Sequence, residues 1–136
     1  MNDYKRIAEG LANVNRFNPE IFGQIEHYVL RNLSMEYELK TIVDIVYAFG
    51  KGDMGSKIFY EAVQTTIFKG HFLQRSVLFK RNELPYNGYT TSKLLGIFSH
   101  AKHRIQDFEL EPDFQVFMYN LIMNQQTEYN MIVQFN

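Results

Sequence analysis

Apolar residues recur along this chain at the three- and four-residue spacing of amphipathic helices, and no stretch reads as a strand hairpin. Tyr4, Ile7, Ala8, Leu11 and Ala12 form one stripe, which predicts a first helix from Asp3 to about Asn13. Asn18 is an N-cap residue and Pro19 suits a first helical turn, so a second helix follows with Phe22, Ile25, Tyr28 and Val29 inward. Ser34 is placed to cap a third, whose stripe is Leu39, Ile42, Val43, Val46 and Phe49. Gly50-Lys51-Gly52-Asp53 ends it, because glycine accepts the left-handed conformation that helix termini use. Ser56 caps a fourth helix with Phe59, Ala62, Val63, Thr66 and Ile67 inward, ending either at Gly70 or near Lys80. Asn82 to Gly88, with Pro85 and Asn87-Gly88, is a loop. Thr90 or Thr91 starts a fifth helix bearing Leu94, Leu95, Phe98 and Ala101, and Pro112 opens a sixth bearing Phe114, Phe117, Leu121 and Ile122. Thr127 to Phe135 begins one more. The expected fold class is all-α.

The helices also repeat. Asn18-Pro19-Glu20-Ile21-Phe22 opens one, and Gly55-Ser56-Lys57-Ile58-Phe59 opens another about 36 residues later. A period in this range is the mark of a helical solenoid. It divides the chain into antiparallel pairs at 3–32, 34–70 and 89–125 with a terminal half-repeat at 127–136, although the third pair stretches the spacing to roughly 50. The expectation is a single helical-repeat domain over 1–136, a short α-solenoid; an irregular six-helix bundle is the alternative. Stacked pairs offer an extended surface, which argues for binding or scaffolding before catalysis.

Charge changes this picture. A net charge of −1 hides an asymmetry: residues 69–104 carry Lys69, Arg75, Lys80, Arg81, Lys93, Lys102 and Arg104 against one acid, Glu83. Interleaved with Phe72, Phe79, Tyr86 and Tyr89, this stretch has the composition of a surface for an anionic partner: RNA, lipid headgroups or an acidic protein. A solvated face is the plainer reading. The segment after it has no Lys or Arg and packs Asp107, Glu109, Glu111 and Asp113 into one loop, a candidate docking site for a basic partner. Met131, Ile132, Val133 and Phe135 leave an apolar end, a candidate C-terminal contact. With 12 Phe and 9 Tyr, the chain has aromatic bulk for both a core and contact surfaces.

The run Ile42-Val43-Asp44-Ile45-Val46-Tyr47-Ala48-Phe49-Gly50-Lys51 resembles the Leu-Leu-Trp-Ala-Phe-Ala-Lys type signature of FAST-kinase-like and octotricopeptide or heptatricopeptide helical-repeat proteins. Tyr47 stands where that family often has Trp, and Gly50 where it has Ala. Leu33 to Leu39 and Phe59-Tyr60-Glu61-Ala62 resemble the frame of its helix pair, and Leu94 to His100 is similar to the signature more faintly. The likeness spans roughly 18–125 and is specific over about 33–63. It implies an organellar, mitochondrial location and, for many members, RNA binding. This chain departs from the typical member in being short, in showing no C-terminal RAP-type module and in not being basic overall.

Nothing points to catalysis. His100 and His103 with Asp107 and Glu109 contain zinc-ligating residue types but no closed set of four at defined spacing. The alternating acids lack the glycine and closing Glu of a calcium loop. Gly50 to Ser56 lies between helices and is a turn, not a phosphate loop. Without cysteine there are no disulfides and no thiolate chemistry. No cofactor or metal is expected. No apolar run approaches the ~20 residues of a membrane span, and Met1 to Arg6 has no apolar region of a secretory signal. The expectation is therefore a non-catalytic accessory subunit of an organellar complex, working through contacts with other protein subunits. The alternative is an RNA-binding repeat protein acting on organellar transcripts or the mitochondrial ribosome.

Overall fold

Each helix begins and ends where side-chain chemistry allows it. A computed structural model describes residues 2–33, 39–77, 88–116 and 119. The helices are α1 (Asn2–Asn13), α2 (Pro19–Asn32), α3 (Leu39–Lys51), α4 (Lys57–Val77) and α5 (Gly88–Arg104), followed by a helical segment at 112–116, α6. Among the described residues all regular structure is helical. At the start of α2, Asn18 Oδ1 accepts from the N–H groups of Glu20 at 2.9 Å and Ile21 at 3.2 Å. Ser56 Oγ accepts from the Phe59 N–H at 3.3 Å. The same serine donates its own N–H and hydroxyl to the Glu26 carboxylate at 2.7 and 3.0 Å, which ties the start of α4 to α2.

The helix ends differ from expectation. At the end of α3 the left-handed residue is Asp53, with φ of 56°, and neither Gly50 nor Gly52 takes that conformation. The Met54 N–H donates to the Phe49 carbonyl at 2.9 Å and the Asp53 N–H to Gly50 at 3.4 Å, the bond pair of a Schellman end. Asn15 ends α1 in the same way, with φ of 56° and an Arg16 N–H bond to Leu11 at 2.9 Å. Gly50 and Gly52 serve close approach instead. A Cβ on Gly50 would stand 2.7 Å from Ile97 Cγ2, and one on Gly52 would overlap the Phe17 ring. Helix α4 continues through Gly70 to Val77, the longer of its two expected courses, while α5 is already helical at Gly88, ahead of the threonines. Ile7, assigned to the inward stripe of α1, is 48% exposed. Ser34 and residues 120–136, with the predicted contact at Met131, Ile132, Val133 and Phe135, lie outside the described residues.

Consecutive helices pair as α1–α2 and α3–α4, while α1 packs on α3, α3 on α5, and α2 on α4. Lys93 lies over Tyr47, Ile97 against Gly50, and His100 beside Asp53, so sequence numbers rise together on both helices. Helices α3 and α5 therefore run parallel, side by side. These contacts are common to a short stack of helix pairs and an irregular six-helix bundle, and the all-α class holds for both.

The interior is threaded by aromatic rings. Phe17, Phe22, Phe49, Phe59, Tyr60, Phe98 and Phe114 follow one another with centroid separations between 4.4 and 5.9 Å, mostly edge-on or tilted. Such pairs add about 0.5–1.5 kcal/mol each beyond area burial. This chain of rings runs from the α1–α2 connection through α2, α3, α4 and α5 to α6 and takes up half of the 12 Phe.

Candidate functional site

The three described side chains of the basic stretch, Lys93, Lys102 and Arg104, meet different neighbours. Lys69 and Arg75 fall on the second half of α4, where only the backbone is described, and Lys80 and Arg81 lie outside the described residues. The other three cations go to different tasks. Lys102 pairs with Glu109 at 3.3 Å, joining the basic stretch to the acidic loop it was read as separate from. Arg104 donates to the carbonyls of Met54 at 3.3 Å and Gly55 at 3.0 Å, bracing the turn between α3 and α4. Its guanidinium also lies 5.9 Å from the Tyr60 ring centre. Tyr60 itself is 1% exposed and donates its hydroxyl to the Met54 carbonyl at 2.6 Å. Burial pushes its pKa up to about 12. Among the described cations of the stretch, Lys93 makes no ion pair and holds its ammonium 4.6 Å above the Tyr47 ring.

The acidic loop is anchored by what lies between its acids. Phe108 and Leu110 are buried while Asp107, Glu109, Glu111 and Asp113 are exposed. Asp107 takes a left-handed conformation, φ 63°, just beyond the end of α5. The Glu111 N–H donates to the Oε1 of buried Gln64 at 3.2 Å, and its carbonyl receives the first bond of α6 from Gln115 at 3.0 Å. His100 Nε2 lies 2.8 Å from Asp53 Oδ1 and His103 is exposed, so the two histidines do not converge on one ligand set. Among the described residues no group of three or more His, Asp and Glu side chains is placed to hold a metal ion. Nor is any helix among them long and apolar enough to cross a membrane.

What the structure does bring together is a groove of about 470 Å³ across α1, α3 and α5. Buried Ala12 and Ala48 lie at its base, Ile97 packs against Gly50, and Tyr47 and Ile97 are half-buried in its walls. Glu9 and Asp44 line it where α1 meets α3; Lys5 stands 3.2 Å from Asp44 and 3.9 Å from Glu9. Lys51, Lys93 and Asn13 complete the lining, and neither lysine has a carboxylate partner among the described residues. Sequence reading placed Tyr47 in the repeat signature and Lys51 in a turn but missed the groove, because it depends on which three helices lie side by side. The three-residue step from Asp44 to Tyr47 and the four-residue step from Tyr47 to Lys51 were the available signal. No family model, curated protein or solved structure matches this chain.

Proposed function

We propose that this protein is a non-catalytic scaffold or accessory subunit of a larger assembly, acting through protein contacts. The observation that supports it most is a repeated one. Ile21 and Ile58 hold equivalent places at the starts of α2 and α4, each directly before a buried anchor, Phe22 or Phe59. Both are exposed, Ile58 at 65%. A single surface isoleucine is ordinary, but apolar exposure recurring at matched positions of successive pairs suits a surface that a partner covers. The third pair places Asp113 in that position, so the apolar row ends there. An organellar, mitochondrial setting rests on the family resemblance alone.

The test is co-fractionation of the tagged protein from organelle extract, with and without RNase, followed by stoichiometry. We expect membership of a large complex at fixed stoichiometry that survives RNase and is lost in an Ile21→Glu/Ile58→Glu double variant whose helical content is unchanged. Partners that vanish on RNase treatment would overturn the subunit reading in favour of binding to organellar transcripts or the mitochondrial ribosome.

A further inference from the structure

We infer that the groove across α1, α3 and α5 is a docking channel for an extended, acidic peptide segment of a partner protein. This rests on reading the chain as an interaction module, and it adds the site and the chemistry of what it takes. The groove has two electrostatic halves. Its carboxylates, Glu9 and Asp44, are already neighboured by Lys5 at 3.9 and 3.2 Å. Its lysines are not matched in this way: Lys51 closes α3 without an ion pair among the described residues, and Lys93 has only the Tyr47 ring beneath it at 4.6 Å. Positive charge therefore gathers at the α3–α5 half, where Lys51 and Lys93 meet no carboxylate among the described residues.

The rest of the lining suits a polypeptide backbone. Ala12 and Ala48 keep the base of the groove low, and the Asn13 amide offers both a donor and an acceptor to peptide groups. Ile97, half-buried in the wall, presents apolar surface to one side chain of the bound segment. A nucleic acid fits less well. Its phosphates recur with every nucleotide, so a strand crossing the groove would bring some of them against Glu9 and Asp44. A peptide can place Glu or Asp beside Lys51 and Lys93 and pass the carboxylates with neutral residues.

The experiment is fluorescence anisotropy on the full chain with a labelled peptide of alternating Glu and Ala. The same peptide with Lys for Glu, and a short single-stranded RNA, serve as comparators. Binding of the acidic peptide should weaken with salt and become about tenfold weaker in Lys51→Glu/Lys93→Glu, the scale of two exposed charge pairs. The milder Lys51→Gln/Lys93→Gln variant guards against a folding defect. Carbodiimide coupling to the unaltered protein needs no variant, and should join the peptide's carboxylates to Lys51 and Lys93. No binding of the acidic peptide, equal binding in both variants, coupling only at other lysines, or preference for RNA would each overturn the inference. If the peptide fails to bind while Ile21→Glu/Ile58→Glu still leaves the assembly, the groove assignment falls and the subunit reading stands.

Discussion

Tyr60 shows how much one buried hydroxyl can do here. Its ring joins the aromatic chain, its O–H holds the Met54 carbonyl, and burial raises its pKa to about 12. The folded state keeps this proton where the unfolded chain, titrating near 10, has lost it. The associated stability is therefore full below about pH 10 and is lost as pH rises towards 12, roughly 2–3 kcal/mol in all. Tyr60→Phe should cost about 1 kcal/mol at neutral pH through the lost hydrogen bond. It should also lose less stability than the parent between pH 9 and 11, as urea unfolding at both values will read. Gly55 is a second sensitive position. With φ of 101° and a would-be Cβ 2.7 Å from the Tyr60 ring, Gly55→Ala should lower stability by at least about 2 kcal/mol, seen as a lower urea midpoint at unchanged slope. The glycine-rich turn was visible in the sequence. Which residue would adopt the left-handed conformation was not, since Asp53 tolerates it and Gly50 and Gly52 were needed for packing against Ile97 and Phe17.

At the scale of elements, periodicity located the helices because each needs one apolar face, and caps such as Asn18 and Ser56 are local events. What the sequence hid were the ties made to such caps from a distance. Glu26 is an instance: nothing in its own helix marks it as part of the start of α4, thirty positions on. Glu26→Ala should destabilise the protein by about 1–2 kcal/mol, the loss of charge-assisted bonds to the Ser56 N–H and hydroxyl. A double-mutant cycle with Ser56→Ala should show coupling between them, and hydrogen exchange should quicken first at the amides of Phe59 and Tyr60. Arg104 belongs to the same class. Read from sequence it is one of seven cations awaiting a partner, yet its bonds to Met54 and Gly55 make it a brace. Arg104→Met should therefore lower thermal stability while leaving acidic-peptide binding unchanged.

For the whole molecule, the all-α class was legible, and the groove was not, because it exists only once α1, α3 and α5 are neighbours. The aromatic chain links α2, α3, α4 and α5 through single residues. Phe49 touches the rings of both Phe22 and Phe59, so it joins the first helix pair to the second. Phe49→Ala should cost about 3–5 kcal/mol. Circular dichroism and tyrosine fluorescence should still report one coincident transition, since neither pair keeps its core without the other.

Helix α3 packs against α1, α4 and α5 together. It follows that a cut between the described helices should not release independently folded pieces. A cut that released either end would leave an apolar side of α3 in water, so fragments should re-associate or be degraded together and not survive as folded halves. The helix that most resembles a repeat signature is thus also the one against which three other described helices close.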